Sequence, residues 1–202
     1  MYVVLLNGPK GSGKDTIASE FAVLDEKRAV LPVARQMQEE AMKAIGHPAE
    51  TVDLVNRNGI KDETCSFVYH NAHLVAWPEG TTLPILTPRE LYIAYGDKLR
   101  AEQGSEVFAD AWLKQAAILM RQGVETLVMP DCRLQPEVNA AIRLVGTNRT
   151  LLVHVPREGC TWDNDIGSYC DHDYSYMFIN NFRRDELGTA LSNIVPHWRG
   201  EL

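Results

Sequence analysis

The sequence predicts an α/β fold with a parallel β-sheet flanked by helices, and three observations predict it. Three short runs, residues 2–6, 125–129 and 150–155, are continuously apolar. Helical patterns separate them, as expected of strands buried on both faces of a parallel sheet. The length, 202 residues with 45% hydrophobic content, suffices for one ordinary core, so a single domain is expected over 1–202.

YVVLL, residues 2–6, is the first strand, and a helix is expected over about 14–25 after a glycine-rich stretch. AVLPVA, 29–34, is a weaker strand, because Pro32 lacks an N–H and is confined to a strand end or a sheet edge. RQMQEEAMKAI, 35–45, reads as a helix stopped by Gly46, with Pro48 beyond. Residues 47–86 show no clear periodicity. Helices follow over 88–103 and 107–122, the second ended by Gly123. ETLVM, 125–129, and TLLVHV, 150–155, are strands, with a helix between them over about 136–144 that starts on a proline. The stretch 156–176 is polar and aromatic without an assignable element, and no internal repeat or low-complexity run is present.

The formal charge is −7, from 27 acidic and 20 Lys and Arg residues. Without a general basic field, stable binding to nucleic acid or to a membrane surface is disfavoured. No apolar run approaches the roughly 18–20 residues that span a bilayer. YVVLL is also too short for a signal-peptide core and has no basic residues before it, so a soluble, cytoplasmic protein is expected. Cys65, Cys132, Cys160 and Cys170 form no C-x-x-C pair and are expected as free thiols. The spacing of Cys160, Cys170 and His172 does not fit a structural zinc site.

The strongest local signal is GPKGSGKDT, residues 8–16. Glycines let the chain curl so that successive N–H groups point at one anion, and a lysine at the far end reaches over it. Gly8, Gly13 and Lys14 satisfy G-x-x-x-x-G-K between an expected strand and an expected helix, the context that a phosphate cradle needs. Gly8, Gly11, Ser12, Gly13, Lys14, Asp15 and Thr16 are therefore the expected nucleotide-phosphate ligands, at a helix N-terminus. The plain alternative is a glycine-rich turn with an exposed lysine. Asp15 occupies the position after the lysine, and the hydroxyl comes one later, at Thr16.

GKDT in place of GKST resembles the nucleoside monophosphate kinases, and particularly the bacteriophage deoxynucleoside monophosphate kinases. Three further blocks resemble that family in the same order: LTPRELYIAYGDKLR at 86–100, LVMPDCRLQPEVNAAI at 127–142 and HDYSYMFINNFRRDEL at 172–187. The resemblance implies a P-loop kinase fold with an acceptor-binding insertion over about 35–112 and a lid over about 156–176. It implies ATP-dependent phosphoryl transfer to a deoxynucleoside 5′-monophosphate with Mg²⁺, in the host cytoplasm if a phage encodes it. The expected partner is that small molecule, and a homodimer is compatible with the reading.

A donor and an acceptor phosphate bring several negative charges together, so cations must converge on the cradle. Arg89, at an expected helix start, and Arg100, about three turns on, are acceptor-phosphate ligands or solvated helix charges. The same choice holds for Arg35, after the weaker strand. Trp112 either stacks on the acceptor base or is a core tryptophan, and Tyr92 and Tyr95 pose the same alternative. Asp131 and Arg133 follow ETLVM, at the carboxyl end of a parallel strand where open α/β sheets place their ligands. Asp131 holds magnesium through water, with Thr16 as the other expected metal residue, or orients the acceptor, or else is a turn residue. Arg157, after TLLVHV, is a lid arginine that approaches the transferring phosphoryl, or a loop arginine. An asparagine of INN, 179–181, is expected beside the adenine. Lys14, Asp131, Arg133 and Arg157 thus make up the expected catalytic set. No strong general base is required, since the acceptor phosphate oxygen is already ionised. Two rivals are a P-loop kinase for another acceptor, a modified DNA base or small phosphorylated metabolite, and a non-catalytic nucleotide-binding module. No Asn-Lys-x-Asp guanine signature is present.

Overall fold

β1 (Tyr2–Asn7) is the centre of a five-stranded, all-parallel sheet, in a computed structural model that describes residues 1–162, 170–180 and 189–193. Its neighbours are β3 (Thr126–Met129), with Val4 opposite Val128, and β4 (Thr150–His154), with Leu6 opposite Val153. β2 (Arg28–Val30) and β5 (Ser175–Met177) are the edges, giving the order β2-β3-β1-β4-β5. The three short apolar runs are thus the three inner strands, every residue of β3 and β4 being buried. β2 stops two residues before Pro32, at an edge where a missing N–H removes no inner ladder bond.

Alternate residues of these strands point to opposite faces. Val4, Leu6, Val128 and Val153 pack with Ile17, Ala18 and Phe21 of α1 (Lys14–Ala22) in one core. α7 (Gln135–Val145) lies against β1 and β4, and Val3, Leu5, Leu127, Met129 and Leu152, of the other parity, are fully buried. The expected α/β class, a parallel sheet with flanking helices, is the one observed.

The chain divides into two compact units, Met1–Val33 with Ala109–Leu202, which holds the sheet, and Ala34–Phe108. The second unit is helical: α2 (Ala34–Ala44), α3 (Thr51–Arg57), α4 (Ser66–Asn71) and α5 (Pro88–Gln103). Ala41, Met42, Ile45, Val52, Val55, Val68, Ile85 and Leu91 form its core. α5 starts where LTPRE requires. The Thr87 hydroxyl accepts the Glu90 N–H at 3.1 Å while Glu90 Oε2 accepts the Thr87 N–H at 2.9 Å, and Pro88 fills the first turn. α6 (Val107–Arg121) leads back to β3.

Differences from expectation are local. The first helix ends at Ala22 instead of about 25, and residues 47–86 contain two short helices where no periodicity was visible. β5 lies at the end of a stretch without an assignable element. Residues 163–169 of the expected lid, Asn181 and the end of the fourth resembling block fall outside the described residues. No helix among the described residues is long and apolar enough to cross a membrane.

Candidate functional site

The glycine-rich loop leaves the carboxyl end of the central strand and enters α1, so Gly8–Thr16 sits where the neighbouring parallel strands β3 and β4 also end. A Cβ on Gly8 would fall 2.5 Å from the Val155 carbonyl oxygen and 2.9 Å from Ser12 Oγ, so only glycine fits between the loop and the end of β4. Gly11 and Gly13 have φ of 81° and 90°, a left-handed backbone that costs other residues free energy. The lysine is not exposed. Lys14 is 6% exposed, and its Nζ donates to the carbonyls of Gly8 at 2.5 Å and Pro9 at 2.7 Å and to Ser12 Oγ at 3.4 Å. The ammonium is thereby folded over the loop it belongs to, so the lysine is not the exposed one of the glycine-rich-turn alternative.

The loop's carbonyls are taken by donors. Arg157 Nη1 donates to Gly11 O at 3.3 Å, and the Asn180 amide donates to Ser12 O at 2.6 Å. Its N–H groups are treated differently. No side chain caps α1, whose first helical bond runs from the Ile17 N–H to Gly13 O. Among the described residues, the N–H groups of Gly11, Gly13, Asp15 and Thr16 have no backbone acceptor. Donors without backbone acceptors at a helix start, with the positive end of the helix dipole, favour negative charge there.

Beneath the loop lies a buried polar network. Asn7 Nδ2 donates to Cys132 O at 3.0 Å and to Cys170 Sγ at 3.6 Å, and Asn7 Oδ1 is 3.1 Å from His154 Nδ1. Burial lowers the basicity of His154. The neighbouring Cys132 and Cys170 thiols interact, which pushes Cys132 up and Cys170 down in pKa. All four cysteines are free. Asn7 therefore ties the ends of β1, β3 and β4 together.

Asp131 and Arg133, both partly buried, flank Cys132 at the end of β3. Asp131 Oδ1 accepts the Val33 N–H at 2.8 Å. Glu137, 6% exposed in α7, accepts the N–H groups of Arg133 at 2.5 Å and Leu134 at 3.0 Å. Burial, aided by the Asp131 charge and opposed by those two bonds, raises its pKa to about 7. Lys14, Asp131, Arg133 and Arg157 thus occupy one end of the sheet in the first unit. The oxygens of Thr16 and Asp131 are hard donors of the kind a magnesium ion takes.

Trp112 takes the core alternative. It is 2% exposed and its indole N–H donates to Leu31 O at 2.9 Å, which leaves it neither an open face nor a spare donor for a base. In the helical unit each expected acceptor arginine has an acidic partner. Arg35 holds Asp53 with two nitrogens, at 2.5 and 3.1 Å, and Glu39 with its Nε at 2.5 Å. Arg89 pairs with Asp62. Arg100 pairs with Asp97 at 2.9 Å and lies over the Phe108 ring, 5.0 Å from its centroid. Its Nε and the Tyr92 hydroxyl are buried without a hydrogen-bond partner among the described residues. Asn7, Glu137 and the loop role of Asn180 were missed by sequence reasoning. Asn7 left a signal as the polar residue closing the first apolar run, and Asn180 left one as part of INN, expected beside the adenine and not at the loop. No protein-family model matches the chain, and comparison with curated proteins finds no match.

Proposed function

We propose that the protein is a P-loop kinase that transfers a phosphoryl group from ATP to a deoxynucleoside 5′-monophosphate. The observation that carries the reading is the Gly8–Thr16 loop, where donors hold the carbonyls of Gly8, Pro9, Gly11 and Ser12 under a buried lysine while, among the described residues, the N–H groups of Gly11, Gly13, Asp15 and Thr16 have no backbone acceptor. Lys14 Nζ exchanges its carbonyl partners for phosphate oxygens and holds the transferring group, a charge-assisted contact in a site of low dielectric. Arg157, already at the loop, screens charge on the same group. Asp131 and Arg133 order the space beyond β3. Thr16 and Asp131 are the residues that would hold a magnesium ion arriving with ATP, which would supply positive charge to offset that of the phosphates. The attacking oxygen belongs to a phosphate that is ionised at neutral pH, so positioning and electrostatics supply the catalysis without a strong base.

The acceptor class rests on the four resembling blocks. Arg35, Arg89 and Arg100 of the helical unit are proposed as acceptor ligands, whereas Trp112 is left out because its indole is committed to the core. The test is ADP release from ATP and Mg²⁺ against a panel of ribo- and deoxynucleoside monophosphates. Deoxy acceptors are expected to exceed their ribo counterparts by roughly 10–150-fold in kcat/KM, the range that rejection of one hydroxyl allows. Equal rates with AMP, CMP, GMP or UMP would remove the deoxy-specific reading. ATP binding without any acceptor-dependent ADP would favour the non-catalytic module.

A further inference from the structure

We propose that Asn180 is a positioning residue of the phosphate loop, whose side-chain amide fixes the Ser12–Gly13 peptide so that the Gly13 N–H is presented to the nucleotide. The inference rests on the phosphate-loop reading above. Asn180 lies 168 residues from Ser12 in sequence, yet its Nδ2 donates to Ser12 O at 2.6 Å. A peptide unit is planar, with its C=O and N–H pointing in opposite directions. Holding the Ser12 carbonyl on one side therefore turns the Gly13 N–H to the other.

Both partners are themselves held. Asn180 is 6% exposed, its own N–H donates to Pro156 O at 3.0 Å, and two residues earlier the Phe178 N–H donates to His154 O at 2.7 Å. Ser12 is fully buried. The amide also explains a second requirement at Gly13, besides its φ of 90°, because a Cβ there would fall 2.5 Å from Asn180 Nδ2. Gly13 is glycine so that this amide can reach the loop. An aspartate at 180 would keep the shape, lose the donor and add a negative charge beside the phosphates.

The test uses the full chain and measures equilibrium binding of ATP with Mg²⁺, binding of a deoxynucleoside monophosphate alone, and the melting temperature without ligand. Asn180→Ala is expected to raise the Kd for ATP by about 10-fold, the loss of one well-made buried hydrogen bond. Asn180→Asp, which preserves the packing, is expected to raise it further. Monophosphate binding should stay within about two-fold, because uniform loss of structure would move both ligands while loss of loop geometry moves one. Unchanged ATP affinity in both variants, with the wild type binding ATP, overturns the positioning role and leaves the phosphate-loop reading standing. A parallel fall in the affinities for both ligands and in melting temperature, in Asn180→Asp as well as Asn180→Ala, makes the residue structural and also overturns it. A wild type that does not bind ATP overturns the underlying reading, and this one with it.

Discussion

Glu137 Oε2 accepts the Arg133 N–H at 2.5 Å, a bond that ties the first turn of α7 to the corner carrying Asp131 and Arg133. The carboxyl is buried, and its pKa rises from the usual 4.5 to about 7. Between those values the folded chain binds more protons than the unfolded one. The stabilisation from protonated Glu137 is therefore complete below about 4.5 and is lost as the pH rises through about 7. Its full extent is on the order of 3 kcal/mol. Urea unfolding from pH 5 to 8.5 should show wild type losing more stability than Glu137→Gln, which cannot ionise. Parallel pH curves for the two proteins would mean that Glu137 is not the group responsible.

Lys14 is the second test. Its Nζ already sits among carbonyl oxygens in a buried loop, so its replacement removes a preorganised positive charge from a site of low dielectric. Lys14→Ala is expected to lower kcat by about 10²-fold or more. Near-normal turnover would take the loop out of the chemistry.

The loop was legible because everything that defines it is local. Three glycines, a lysine and an apolar run before them lie within 13 residues, and the geometry they require is short-range. Asn180 and Glu137 were not legible in the same way. Asn180 reaches Ser12 only once β5 has paired with β4, a register that no local pattern specifies. β5 itself has an exposed residue at every position, so it lacks the apolar run by which the inner strands were read. α3 and α4, of seven and six residues, are too short to display helical periodicity. Trp112 shows the limit from the other side. An aromatic residue on a helix suits a core and a base equally well, and its burial with the hydrogen bond to Leu31 O decides.

Arg89 gives the third prediction. Its guanidinium is partly exposed and held by Asp62 at the start of α5, in the helical unit and outside the phosphate loop. Arg89→Ala should raise KM for the monophosphate roughly 10–100-fold, the loss of a charge-assisted hydrogen bond, with a smaller effect on KM for ATP. If KM for ATP rises instead, residues 88–103 do not serve the acceptor.

Tyr92 separates fold from function within the same helix. The residue is 3% exposed, its hydroxyl has no hydrogen-bond partner among the described residues, and burial raises its pKa well above the usual phenol value. A buried hydroxyl left unpaired costs about 1–3 kcal/mol of desolvation, so removing it should not destabilise the fold. Tyr92→Phe is expected to match or exceed wild type in unfolding free energy, by up to about 1 kcal/mol. Its kinetics then carry the information, because an unpaired buried donor in the unit that carries Arg35 and Arg89 is free to bond an acceptor molecule. If the hydroxyl contacts the acceptor, Tyr92→Phe raises KM for the monophosphate about 10-fold while leaving KM for ATP and the stability intact. A stable variant with unchanged kinetics would assign Tyr92 to the core of the helical unit alone and move the search for the acceptor to Arg35 and Arg89.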